Sequence, residues 1–223
     1  MATPLEPTDP APRKGASQSI VKSAVVLIVL TALLAGILAL VARQTQDKIQ
    51  RNAAAWILQR LDTLIPADTH DNDLMEDHID IVSTDILGIS DVVPIYRARL
   101  RGQPVAAVMR TVAPDGYRGP IELLIAIRHD GTLIGVQVIR HQETPGLGDA
   151  FEHRDIGWLD GFRDRSLLNP PQQRWTVRKD GGDFDEFTGA TITPRAIVKA
   201  TRRALEYFTA HRDQIFSTPQ PSP

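Results

Sequence analysis

Between Ser23 and Ala42 the chain reads SAVVLIVLTALLAGILALVA, without one charged side chain. A helix over that stretch rises roughly 30 Å at about 1.5 Å per residue, the hydrocarbon thickness of a bilayer. Lys22 and Arg43 stand at its two ends, where long cationic side chains reach toward water. A buried helix of a soluble protein would keep some polar face over such a length, and this one has none. A cleaved signal peptide would carry a shorter apolar core, roughly 7–15 residues, and a clean small-x-small site after it. Residues 20–42 are therefore read as an uncleaved single-pass transmembrane helix. Charge does not choose its orientation: Arg13, Lys14 and Lys22 precede it, while Arg43, Lys48, Arg51 and Arg60 follow.

The remainder reads as one anchored domain with flanks. Residues 1–19, rich in proline, and residues 217–223 (STPQPSP) have the composition of disordered tails. Residues 43–66 continue as a stalk helix, with Ile49, Ala53, Trp56, Ile57, Arg60 and Leu61 at three-and-four spacing and Pro66 as its stop. A domain of residues 67–216 follows, beginning with a polar, acidic loop over 67–78. Strands are expected over Pro94–Leu100 and Pro104–Val112 around Arg101-Gly102-Gln103, and over Pro120–Arg128 and Leu133–His141 around an Asp-Gly turn. Gln173–Arg178 is a further candidate strand. Thr193 is expected to cap a final helix with Pro194 at its first position, and Ile197, Thr201, Ala204, Leu205 and Phe208 form its apolar stripe. The fold class is α+β: a mostly antiparallel sheet with packed helices.

Composition narrows the chemistry. The chain has no cysteine, so it holds no disulfide, thiolate-ligated cluster, cysteine zinc site or thiol nucleophile. Its 25 Lys+Arg against 27 Asp+Glu leave no basic excess for nucleic acid. His141 and His153 lack carboxylate or cysteine partners at ligand spacing, so no metal site is expected. No catalytic residue is assigned. If the chain carries electrons, an organic cofactor must hold them.

Three short blocks stand out. Residues 185–193 read DEFTGATIT, 141–149 read HQETPGLGD directly after the strongest strand, and 116–121 read GYRGPI directly before another. Taken alone, Thr188-Gly189-Ala190-Thr191 is a loop that caps a helix, and the middle block is an ordinary Pro-Gly loop. Gly146 and Gly148 permit turns with positive φ and a close approach of backbone to a planar ring. Trp158 and Phe162, four apart, are expected to pack a short helix.

Together, in this order and behind an N-terminal anchor, the blocks resemble the G-subunit family of Rnf complexes, ion-translocating electron-transport complexes of bacterial membranes. The C subunit of the sodium-pumping NADH:quinone reductase is the alternative with a similar domain; a non-redox membrane-tethered binding module is the other. The resemblance covers about residues 20–210 and implies an FMN-binding domain whose FMN is joined by a phosphoester to the Thr191 hydroxyl. Asp185 with Thr188–Thr191 matches the Asp-x-x-Ser/Thr-Gly-Ala-Thr pattern at which a flavin transferase attaches FMN. By this resemblance Asp185 serves transferase recognition and Gly189 and Ala190 keep the loop slim. Thr188 and Thr193 supply hydroxyl donors, Glu143 and Thr144 bond the flavin's polar edge or ribityl chain, and Gly146 and Leu147 form a second wall. Tyr117 has two readings, stacking on the flavin or packing in the core. The resemblance further implies other membrane subunits as partners, electron flow from ferredoxin to NAD coupled to ion movement, and a domain on the periplasmic side of the inner membrane.

Overall fold

The computed structural model describes residues 14–83, 88–153 and 157–217. Residues 1–13 and 218–223, which make up most of the two expected tails, lie outside that set. The chain divides into two compact units, Met1–Ala55 and Trp56–Pro223.

The first unit is helical. Helix α1 runs over Lys14–Leu64, so the apolar stretch and the expected stalk form one continuous helix whose last turns belong to the second unit. Within it, Ile20–Ala42 makes 23 residues long and apolar enough to cross a membrane, with none of its most apolar window buried inside the structure. Valine and leucine side chains along it are more than half exposed, as expected of a surface that lipid would cover.

The second unit is built on a five-stranded antiparallel meander: β1 (His78–Ser83), β2 (Ile89–Leu100), β3 (Gln103–Ala113), β4 (Ile121–Arg128) and β5 (Leu133–Arg140), in that spatial order. Arg101 and Gly102, at φ 54° and 75°, make the tight turn between β2 and β3, so Gln103 starts a strand rather than ending the turn. A two-residue turn with both φ positive suits the twist of the strands it joins. Gly131, at φ 90°, turns β4 into β5. Two differences from expectation arise at the start of the sheet. The polar segment ends in β1, whose Ile79 and Ile81 pack on the core, and β2 begins upstream of Pro94, which pairs with Asp80.

Strand β4, IELLIAIR, lies between two layers, which is why its apolar run is nearly unbroken. Leu123, Ile125 and Ile127 face one core together with Ile197, Ala200, Ala204, Leu205 and Phe208 of helix α2 (Ile192–Phe216). Leu124 and Ala126 face the other, formed with Leu61, Leu64, Ile65 and Leu74. The far end of α2 is clasped by arginines. Arg97, 3% exposed, donates to the carbonyls of Ile215 (3.2 Å) and Ser217 (2.8 Å) and pairs with Asp77. Arg99 donates to the Phe216 carbonyl at 3.0 Å and to the same aspartate at 2.9 Å.

Gln173–Arg178 is not a strand. It passes through 3-10 turns at Gln172–Arg174 and Arg178–Asp180, with a single bridge from Val177 to Phe184. Trp175 and Val177 do point inward, at 2% and 0% exposure, but Trp175 enters an aromatic cluster rather than the sheet. Through Phe184 and Phe187 the same cluster supports residues 185–193.

Candidate functional site

Four aromatic rings fix the approach to residues 185–193. Trp158 and Phe162 lie on a 3-10 turn, as their spacing predicts, with centroids 5.2 Å apart. Phe162 stacks on Phe184 at 4.8 Å, and Trp158 meets Phe187 edge-on at 4.9 Å. All four are buried. The indole N–H of Trp158 donates to the Asp185 carbonyl at 2.8 Å, so the backbone between the two phenylalanines is held by a directed bond as well as by packing.

A turn then carries the chain outward. Ala190 N–H donates to the Phe187 carbonyl at 3.0 Å, and Gly189, third of the four residues, has φ 81°. A turn of type II needs a left-handed residue at that place, and glycine takes it without strain. Thr188 and Gly189 are exposed, Ala190 half-buried. The ETPGLGD loop lies alongside: a Cβ placed on Gly189 would stand 3.8 Å from Leu147 Cδ2.

Thr191 occupies the position before α2, with φ −100° and ψ −16°, and its side chain makes no capping hydrogen bond. Its half-buried hydroxyl oxygen instead accepts a bond from the Arg195 guanidinium at 3.2 Å. Arg195 is in turn held by Asp180 through Nε at 2.5 Å and a second nitrogen at 2.7 Å. Hydrogen bonding by Arg195 lowers the Asp180 carboxyl below its ordinary range, and the same bond raises the guanidinium. Neither residue was a sequence candidate. Arg195 had a signal, since it lies four positions after Thr191 on a helix and therefore on the same face; Asp180 had none.

Thr193 and Glu143 take roles other than those expected. Thr193 lies inside the first turn of α2 and is fully buried; it is not the cap, and Pro194 follows it as the third helical residue. Its hydroxyl donates to Glu143 Oε2 at 2.5 Å. Glu143 is 4% exposed, and its other oxygen accepts the backbone N–H of Arg118 at 3.1 Å. Gly148 closes the arrangement: a Cβ there would lie 2.6 Å from Glu143 Oε2 and 3.2 Å from Thr193 Oγ. Thus one buried carboxylate binds all three sequence blocks together. Both its oxygens are committed within the protein, so it braces the loops rather than facing outward.

What faces outward is apolar and comes from each block: Tyr117 is 66% exposed, Leu147 50% and Ile192 44%. Tyr117 is therefore no core residue. Thr144 turns its carbonyl to the N–H groups of Leu147 and Gly148, both at 3.1 Å, which shapes the loop that presents Leu147. Gly146 has the positive φ expected of it, at 77°; Gly148 matters for close approach instead. Beside Leu147 and Thr188 opens a cleft of about 450 Å³, lined also by Trp158, Arg178, Asp185 and Phe187. Asp185 is exposed at its rim and pairs with Arg178 at 3.1 Å. His141 serves locally: Nδ1 accepts the Glu143 N–H at 3.2 Å, which leaves Nε2 to donate to Glu152 at 2.8 Å.

The family model for the FMN-binding domain matches residues 116–206, which contain all three blocks. The G subunit of the ion-translocating oxidoreductase complex of Shewanella oneidensis is 44% identical over 89% of this chain and 94% of its own length. The corresponding G subunit of Vibrio cholerae is 42% identical over 90% and 95%, and that of Aliivibrio fischeri 38% over 89% and 94%. At that identity and near-complete coverage, the chain belongs to the family of ion-translocating oxidoreductase complex G subunits.

Proposed function

We propose that this chain is a membrane-anchored flavoprotein subunit of an ion-translocating oxidoreductase complex, with FMN linked covalently through the Thr191 hydroxyl. Family membership and the matched FMN-binding domain support the flavoprotein reading. The covalent reading rests on one observation above the others: Thr191 stands at the cap position of α2, yet its hydroxyl does not cap the helix. A threonine serving only as a helix cap would spend its oxygen on a backbone N–H of the first turn.

The residues present fit the group. A phosphoester at Thr191 would place an anion at the N-terminal end of α2, where unpaired backbone amides and the helix dipole favour negative charge. Arg195 already contacts the oxygen that would bear it. Tyr117, Leu147 and Ile192 offer apolar surface for a planar ring, and the aromatic cluster under Phe187 keeps the presenting turn rigid. Bound FMN supplies electron transfer, which this cysteine-free chain has no thiolate-held cluster to provide. The protein's own part is to set position and surroundings and to keep the cofactor from dissociating.

On this reading a flavin transferase matures the subunit, recognising the exposed Asp185 beside the Thr188–Thr191 turn. The partners are the other membrane subunits of the complex. Electrons pass between ferredoxin and NAD through those subunits, and the domain lies on the periplasmic side. The test is co-expression with an active flavin transferase, followed by denaturing electrophoresis and intact-mass measurement. The expected result is a UV-fluorescent band with an added FMN phosphoester mapped to the Thr191 peptide, lost in Thr191→Ala. A dark wild-type band with the transferase shown active overturns the covalent reading.

A further inference from the structure

We propose that Arg195 is a pre-oriented phosphate ligand at the attachment threonine and that Asp180 is the positioning residue that aims it; the inference rests on the covalent reading of Thr191.

The geometry of the guanidinium carries the argument. It is planar, with five N–H donors in a fixed fork. One edge is fully used: Nε and one terminal nitrogen meet the two oxygens of Asp180 at 2.5 and 2.7 Å. A bidentate pair fixes the plane of the group as well as its position. The other terminal nitrogen then lies 3.2 Å from Thr191 Oγ with a further N–H to give. A lone hydroxyl needs no guanidinium, and an arginine whose sole task were to pair with Asp180 would not need its free edge on that oxygen.

The arrangement is accessible and local. The Arg195 and Asp180 side chains are 38% and 37% exposed, so an incoming phosphoryl group meets the free edge without displacing the core. The next three cations along α2 are engaged elsewhere: Lys199 with Asp115, Arg202 with Glu206, and Arg203 with the Val112 carbonyl. Because Asp180 neutralises only the edge facing away from Thr191, it orients the cation without occupying the anion position.

In the transfer, Thr191 Oγ forms a bond to the flavin-side phosphorus of FAD and the pyrophosphate P–O bond breaks. AMP departs with that oxygen, and the hydroxyl proton passes to a base of the transferase. The phosphoryl oxygens would carry negative charge throughout, and the free edge of Arg195, which already contacts Thr191 Oγ, would be the group that pairs with them. Lysine at this position would retain charge but lose both the bidentate anchor and the fork.

The test uses the full-length protein in detergent with FAD, magnesium ion and an active flavin transferase, following the added mass with time. Arg195→Gln is expected to slow labelling about tenfold or more, the usual weight of one charge-assisted contact. Arg195→Lys should fall between it and wild type, and Asp180→Asn, which frees the guanidinium to wander, should also slow labelling. Lys199→Gln, on the same helix, should label at the wild-type rate. A second readout is the 31P resonance of the linked phosphodiester, which should move in Arg195→Gln and stay in Lys199→Gln. Wild-type labelling rates in Arg195→Gln and Asp180→Asn, with an unmoved 31P resonance, overturn the inference while leaving covalent FMN intact. Failure of wild type itself to gain the mass overturns the underlying reading, and the inference with it.

Discussion

The Thr193 hydroxyl donates to Oε2 of Glu143 at 2.5 Å, joining side chains 50 positions apart in a buried contact. Glu143 also holds the Arg118 N–H and is packed against Gly148. A single carboxylate therefore sets the mutual placement of the Tyr117 loop, the Leu147 loop and the first turn of α2.

Removing that carboxylate should cost the fold measurably. Glu143→Ala leaves the Thr193 hydroxyl and the Arg118 N–H unpaired, and a loss of about 2–3 kcal/mol is expected. Glu143→Gln, which keeps one acceptor oxygen, should lose less. Chemical denaturation of the full chain in detergent, followed by tryptophan fluorescence, gives both values. An alanine variant with the wild-type midpoint would remove Glu143 from this role.

Gly148→Ala drives a methyl group to within 2.6 Å of the same carboxylate. Overpacking of this kind costs about 1–3 kcal/mol. The clash is specific, so the penalty should shrink when Glu143 is alanine as well. A double-mutant cycle measures that coupling, and strict additivity would place the strain elsewhere.

At the opposite end of α2, Arg97→Met should leave Asp77 short of a partner in a mostly buried pair and free the carbonyls of Ile215 and Ser217. About 3 kcal/mol of stability is expected to go. Hydrogen exchange should rise first in the last turn of α2, because Arg99 is then the one arginine still bonded to its carbonyls, at Phe216. Uniform exchange along the helix would contradict a local clasp.

The Asp180–Arg195 pair has a pH dependence of known sign. The folded carboxyl is held below its ordinary value by the bond from Arg195, so its contribution is complete above the unfolded aspartate range. It is lost only as pH falls through the lowered value. Carboxyl NMR of Asp180 should therefore titrate below an ordinary aspartate, and Arg195→Gln should bring it back up. An unchanged midpoint in that variant would mean the bond is not formed in solution.

Much of this could be read from residues alone because it rests on local signals. The apolar stretch ending at Ala42, the two hairpins around Gly102 and Gly131, and the stripe from Ile197 to Phe208 all announce themselves by period or turn chemistry. Strand β1 did not, because HIDIVS sits at the edge of an acidic segment and its pattern is short. QRWTVR alternates like a strand but buries Trp175 among other rings. At the site, the resemblance carried by the three blocks marked Thr191, Glu143 and Tyr117. It could not tell that Glu143 points inward or that Asp180 reaches α2, since both depend on contacts between segments far apart in the chain.

The brace has a consequence for timing during biosynthesis. Thr191 opens α2, a helix packed on the sheet along its length and tied at its ends where Thr193 reaches Glu143 and Arg97 grips the last turn. The chain as far as Ser217 must therefore leave the ribosome before the threonine acquires its surroundings. An enzyme that acted on this hydroxyl and read its shape would meet a finished domain.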